Sequence, residues 1–169
     1  VGVQTLIDER VDVDTPQADG ATPLAWAVHW DDLGMADLLI RAGADVNTAN
    51  DLAVTPLILA CANGSAPMVA ALLQAGADPT VARPTGETAL MVAARTGSVA
   101  VVRLLVAHGV DVNATTTGGH TALMWAAAER HADVLRVLAE IGADVHARTA
   151  VRTRAGRPGG TVRPAPRVL

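Results

Sequence analysis

The amino-acid sequence predicts an all-α repeat solenoid of stacked helix-turn-helix units edged by β-turn fingers. Three observations predict it. Thr22, Thr55, Thr88 and Thr121 recur every 33 residues, as do Leu24, Leu57, Leu90 and Leu123, and Gly43, Gly76, Gly109 and Gly142; a fixed period of that size marks a stacked-repeat architecture. Half of the 169 residues are hydrophobic but only 2% are aromatic, with three Trp and no Phe or Tyr. The core must therefore come from Ala, Val and Leu, which suits close-packed helices better than a β-sandwich. Each unit also carries its own start and stop signals.

Those signals set the elements in order. Thr22 is a good N-cap, and Pro23 in the first turn has no N–H in need of a helical partner. Pro56 repeats this, while Ala89 and Ala122 substitute a good helix former. Leu24, Ala27 and Val28 then share one helical face. Breaks follow at Asp31-Asp32, Asn63-Gly64, Thr96-Gly97 and Arg130-His131. A second helix carries Met35, Leu38, Leu39 and Ala42, echoed by Val101, Leu104 and Leu105, and Gly43 and its equivalents supply the positive φ that ends it. Asp45, Asp78, Asp111 and Asp144 lead into an extended turn before the next Thr. Two short helices cannot bury an apolar stripe alone, but stacked copies can.

The register divides a repeat domain, residues 1–147, into 15–47, 48–80, 81–113 and 114–147, after a leading half unit at 1–14. In that half unit Leu6, Ile7 and Asp12 fall 33 before Leu39, Ile40 and Asp45. Residues 148–169 lose the phase and form an Arg-, Pro- and Gly-rich tail, expected to be disordered.

Composition removes several function classes. Cys61 is the single cysteine, which excludes an internal disulfide framework and a Cys-based zinc site. No phosphate-loop, nucleophile-elbow or His-Glu-x-x-His motif occurs, and "GRPGG" at 156–160 lacks the Lys and Ser/Thr of a phosphate loop. The longest apolar runs fall far short of a membrane span, so a soluble chain without a transmembrane segment is expected. The net charge of −4 hides an asymmetry: residues 1–147 hold all seventeen acids and seven Arg, a net of −10, whereas 148–169 hold six Arg and no acid. Such a tail can attract nucleic acid or anionic lipid, yet it has no aromatic for base stacking, so nucleic acid is not the expected partner. All thirteen basic residues are Arg, which with the high Ala and Gly fits a GC-rich, bacterial coding sequence.

The units "DGATPLAWAVHWDDLGMADLLIRAGADVN" and "TGETALMVAARTGSVAVVRLLVAHGVDVN" resemble ankyrin repeats. That family's pattern runs through a β-turn finger, Thr-Pro-Leu-His, an Ala-Ala pair, Gly-His, a leucine-rich helix and Gly-Ala-Asp-Val-Asn. The resemblance covers residues 1–147 and implies a non-enzymatic module that binds a protein partner on a concave surface of finger tips and first helices. The sequence departs from the pattern in two places. The histidine after Thr-Pro-Leu is Ala25, Ile58, Met91 and Met124, which predicts a less stiff finger ladder. The inter-helix Gly is Asp31 in the first full unit and Arg130 in the last; Asp tolerates left-handed geometry better than Arg, so the Arg130 turn is expected to differ in shape. With no polar capping unit at either end, the chain is expected to be a piece of a longer array.

Mapped onto the family's binding surface, the partner-binding candidates are His29, Trp30, Leu52, Val54, Asn63, Glu87, Arg95, His120 and Glu129. Trp30 is the expected anchor: its equivalents Asn63, Thr96 and Glu129 are polar, and Trp is enriched among interface hot spots. The plainer alternative has its indole folding over the first finger. Leu52 and Val54 are expected apolar finger contacts, and the remaining six polar selectors. Trp26 and Trp125 share a slot with Leu59 and Val92 and are expected to face the core. His131 matches the Gly-His histidine and reads as structural. The other histidines are scattered among units, so no metal site is expected. Cys61 occupies an Ala slot and is expected to be buried and unreactive. No catalytic residue and no cofactor is expected. Two further readings stand beside this one: a targeting or regulatory array of a larger enzyme, and a basic-tail binder of nucleic acid or anionic membrane.

Overall fold

The computed structural model describes residues 12–149. The expectations for Leu6 and Ile7, and for the Arg-rich tail past Thr149 with its 156–160 stretch, lie outside the described residues. Eight helices follow one another: α1 (Pro23–His29), α2 (Leu33–Arg41), α3 (Pro56–Asn63), α4 (Ala66–Gln74), α5 (Ala89–Thr96), α6 (Val99–Ala107), α7 (Ala122–Ala128) and α8 (Ala132–Glu140). They form four helix pairs, each helix packed on its partner and on its counterparts in the neighbouring pairs.

The first helix of each pair starts as its residues dictate. Thr22, Thr55, Thr88 and Thr121 are extended at the cap, and each hydroxyl accepts from an amide three residues on, at 3.3 Å. That bond lets Thr22, Thr55 and Thr121 sit buried at 1%, 4% and 3% exposure, where an unpaired hydroxyl would be costly. The layer between the pairs is built from Leu24, Leu57 and Leu90 of the first helices and Leu39, Leu72, Leu105 and Leu138 of the second, all buried. Ala27, Ala60, Ala93 and Ala126, also buried, are small enough for the first helices to approach closely.

The turns within pairs correct one expectation. Asp31 (φ 54°) and Arg130 (φ 63°) take the same left-handed conformation as Gly64 (φ 67°) and Gly97 (φ 80°). The Arg130 turn therefore keeps the common shape. The closing bond decides this: His131 N–H donates to the Ala126 carbonyl at 2.9 Å, matching Asp32 to Ala27 at 2.9 Å and Ser65 to Ala60 at 3.2 Å. The missing glycine leaves a trace in length, since α1 and α7 have 7 residues where α3 and α5 have 8.

Second helices end as expected at Gly43, Gly76 and Gly142, with φ of 95°, 93° and 93°. Ala44, Ala77 and Ala143 each reach back to a carbonyl five residues earlier, at 3.0, 2.9 and 2.9 Å. The third pair differs, because Val110 fills the Ala position and Gly109 has a φ of 78°.

Each finger is a hairpin closed by two backbone bonds: Gln17 N–H to Ala21 O (2.9 Å), Asn50 to Val54 (3.1 Å), Arg83 to Glu87 (2.9 Å) and Thr116 to His120 (2.9 Å), each backed by a bond into the carbonyl of the same first residue from Gly20, Ala53, Gly86 and Gly119 respectively. Two of the three pairs of neighbouring fingers are tied by a backbone bond, without the family histidine. Asp51 N–H donates to Asp19 O at 3.1 Å, and Thr117 N–H to Thr85 O at 2.9 Å.

Candidate functional site

Two side-chain clusters lie on the face made by the fingers and first helices. The first gathers around the end of α1. Trp26 is 37% exposed, which corrects the expectation that it faces the core. The same slot in the third pair holds Val92 at 2% exposure; an indole is much larger than the space a valine fills, so it extends out of the packed layer. Its ring walls a cavity of about 130 Å³ together with Ala25, His29, Leu59, Asp19 and Asn50. Trp26 and His29 meet edge to face at 5.6 Å, and His29 and Trp30 at 5.0 Å. Trp30 itself is 73% exposed, and Leu52 on the second finger 69%.

Asn63 supports this cluster rather than facing away from it. Its Nδ2 donates to the Val28 carbonyl at 2.8 Å and to the His29 carbonyl at 3.3 Å, holding the last turn of α1 that presents His29 and Trp30. Of its carboxamide, Oδ1 is the atom left for a partner. Val54 is half-buried and packs against the core, so its apolar surface is largely spent within the fold.

The second cluster joins the third and fourth units. The Glu87 carboxylate accepts from Arg83 Nη1 at 2.7 Å and from Arg95 Nη1 at 3.2 Å. Its side chain is only 12% exposed, so Glu87 orients two arginines more than it meets solvent. The Arg95 guanidinium lies 5.6 Å from the centre of the Trp125 ring, a cation–π arrangement, and the His120 ring lies 5.7 Å from that indole, tilted by 34°. Among the described residues, Arg83 Nε and Trp125 Nε1 are buried donors without an acceptor. Trp125 is half-buried and thus neither wholly core nor free. Glu129, exposed at the C-cap of α7, stands in the same register as Trp30.

Arg83, Trp26 and Trp125 join the candidate surface although the register did not select them. For Arg83 a signal existed: Arg83 and Glu87 flank a finger turn as opposite charges. For the two tryptophans the signal was their bulk in a slot that elsewhere takes Leu or Val.

Charge is uneven along the stack as a whole. Residues 12–80 carry nine acids and one Arg, whereas 81–149 carry six of each. Asp19 borders the Trp26 cavity, and Arg95 tops the second cluster.

Elsewhere the chemistry is quiet. Cys61 is fully buried, and desolvation pushes its thiol from the ordinary 9.0 up to about 12. His131 spans two pairs, its Nε2 lying 2.9 Å from the Arg95 carbonyl. Among the described residues no three His, Cys, Asp or Glu side chains converge as metal ligands, and no helix is long and apolar enough to cross a membrane.

Stacked helix pairs edged by finger hairpins place this chain among the helical-repeat proteins, whose extended stacked surfaces serve binding. A family model described as ankyrin repeats (3 copies) matches residues 2–83 and again 57–149. The chain belongs to the ankyrin-repeat family, whose members generally mediate protein–protein interaction. None of the curated proteins compared with it matches.

Proposed function

We propose that this chain is a non-enzymatic recognition module that grips a protein partner on its finger-and-first-helix face. The observation that carries this reading is the concentration of exposed aromatic surface there: Trp26, His29 and Trp30 in one edge-to-face run beside a cavity. Trp is the side chain most enriched among interface hot spots. The cavity takes an apolar side chain of the partner, and Arg95, set over the Trp125 ring, takes a carboxylate. Leu52 adds an apolar contact from the second finger. His29, His120 and Glu129 read polar groups, while Asn63 and Glu87 hold their neighbours in place.

The test is affinity capture from source-cell extract with three baits: wild type, a Trp26→Ala/Trp30→Ala variant, and an Arg41→Ala variant altered on α2, away from this face. The reading expects a protein retained by wild type and Arg41→Ala and lost by the double variant. Equal retention by all three places recognition elsewhere.

A further inference from the structure

Neighbouring helix pairs are tied at both ends of their helices, with one exception. At the end where each pair turns, every junction is held. Asn63 reaches the Val28 carbonyl at 2.8 Å, Thr96 Oγ1 reaches Cys61 O and Ser98 Oγ reaches Gly64 O at 3.2 Å each, and His131 reaches Arg95 O at 2.9 Å. At the finger end, the first and third junctions carry two further ties. One is the finger-to-finger backbone bond, Asp51 to Asp19 and Thr117 to Thr85. The other is an asparagine clamp. Asn47 accepts from Asp78 N–H at 2.8 Å and donates to Gly76 O at 3.2 Å; Asn113 does the same with Asp144 N–H at 2.8 Å and Gly142 O at 3.3 Å.

The middle junction, between α3–α4 and α5–α6, has neither. The finger residue that should donate is Pro84, which has no N–H to offer the Leu52 carbonyl. The clamp residue is Thr80, whose hydroxyl turns back to Asp78 Oδ1 at 2.7 Å. Among the described residues, nothing bonds the Asp111 N–H or the Gly109 carbonyl, the two groups a clamp would hold. Val110 stands where Ala44, Ala77 and Ala143 are buried, and its amide makes no counterpart of their bonds back to the helix. A cavity of about 200 Å³ occupies the gap, lined by Pro79, Thr80, Thr88, Gly109, Val110 and Asp111.

We infer that the middle junction is a hinge, fixed at the helix-turn end and open at the finger end, about which α1–α4 and α5–α8 splay as two rigid halves. The missing ties all lie on one side of the junction, and the surviving ones all lie on the other, so the motion has a direction. The hinge stands without the recognition reading. Where both hold, it sets the spacing between the Trp26–Trp30 cluster and the Arg95–Trp125 cluster, which lie on opposite halves, and lets one partner draw them together.

The test is pulsed electron–electron distance measurement on two spin-label pairs, each spanning the second and fourth units. Asp51→Cys with Thr117→Cys reports the finger end, and Ala62→Cys with Ala128→Cys the turn end. Cys61 stays in place, since it is fully buried. Each pair is measured in the natural background and in a repaired one, Thr80→Asn/Pro84→Ala/Val110→Ala. The hinge predicts a finger-end distribution at least twice as wide as the turn-end one, narrowing to match it on repair. Transfer of the defect to the first junction by Asn47→Thr, read with Ala18→Cys and Asp51→Cys against the same pair without Asn47→Thr, should broaden that pair and guards against a misfolded repair. Equal widths at the two ends, or a finger-end width that repair leaves unchanged in a folded protein, overturns the hinge.

Discussion

Trp26 shows how one side chain can leave the core without any change in backbone register. Its slot is packed by Val92 in the third unit and half-packed by Leu59 in the second, yet the indole overruns it and becomes the wall of a cavity. Trp26→Val should therefore preserve the melting temperature to within a few degrees while weakening the partner at least tenfold, measured by calorimetric titration. Trp30→Ala, removing a side chain 73% exposed, should cost binding about 2 kcal/mol or more with stability unchanged. Unchanged affinity in both variants would remove the aromatic run from the site. Cys61 gives a residue-scale prediction on pH. Its folded thiol titrates near 12 against an ordinary 9.0, so the unfolded chain loses the proton first as pH rises through that window. Its contribution to stability is thus complete below 9.0 and declines above it. Urea melts at rising pH should show a decline that Cys61→Ala reduces, and thiol reagents should leave Cys61 untouched at pH 8. Such details were only partly legible in the sequence. The repeat register says which slot a residue holds but not how much room the slot has, so the exposure of Trp30 is legible from it and that of Trp26 is not.

Helices and turns were far more legible, because their causes are local. Thr caps, proline in the first turn and glycine after the second helix each act within a few residues, and all fall where the spacing puts them. The failure at Arg130 is instructive for the same reason. A residue preference against left-handed backbone was outweighed by the bond from His131 N–H to Ala126 O, which a list of propensities does not contain. Two comparisons test these forces. Ser98 both caps α6, accepting from Val101 N–H at 3.5 Å, and reaches Gly64 O at 3.2 Å, whereas Ser65 makes no cap bond with its side chain. Ser98→Ala should cost about 1 to 2 kcal/mol in urea unfolding and Ser65→Ala much less. Gly97 has φ of 80° and a Cβ there would come within 2.7 Å of the His131 ring, while Gly76 at 93° has open space. Both alanine variants carry the left-handed penalty, but Gly97→Ala should lose about 1 kcal/mol more as His131 is pushed off the Arg95 carbonyl. Equal losses would mean that the ring yields freely.

At the scale of the whole molecule, the chain is one stack whose strength is the sum of its junctions. The 33-residue period made the stack and the family legible at once, since each position is sampled four times. The same averaging hides the middle junction. Pro84, Thr80 and Val110 each look like tolerable variation within their own unit, and only the bonds between units show that all three weaken one end of one junction. The two clusters on the finger-and-first-helix face likewise come from residues far apart in sequence, Trp26 with Asn50 and Leu59, Arg83 with Arg95 and Trp125. A protein partner spanning both would meet an acidic half and a charge-balanced half, so its affinity should fall with added salt less steeply than that of a partner bound by charge alone. The most direct measurement of the recognition claim is hydrogen exchange of the chain alone and with its captured partner. Recognition on the finger-and-first-helix face predicts protection concentrated on the fingers and on α1, α3, α5 and α7. Protection confined to α2, α4, α6 and α8, or to residues 150–169, would contradict it.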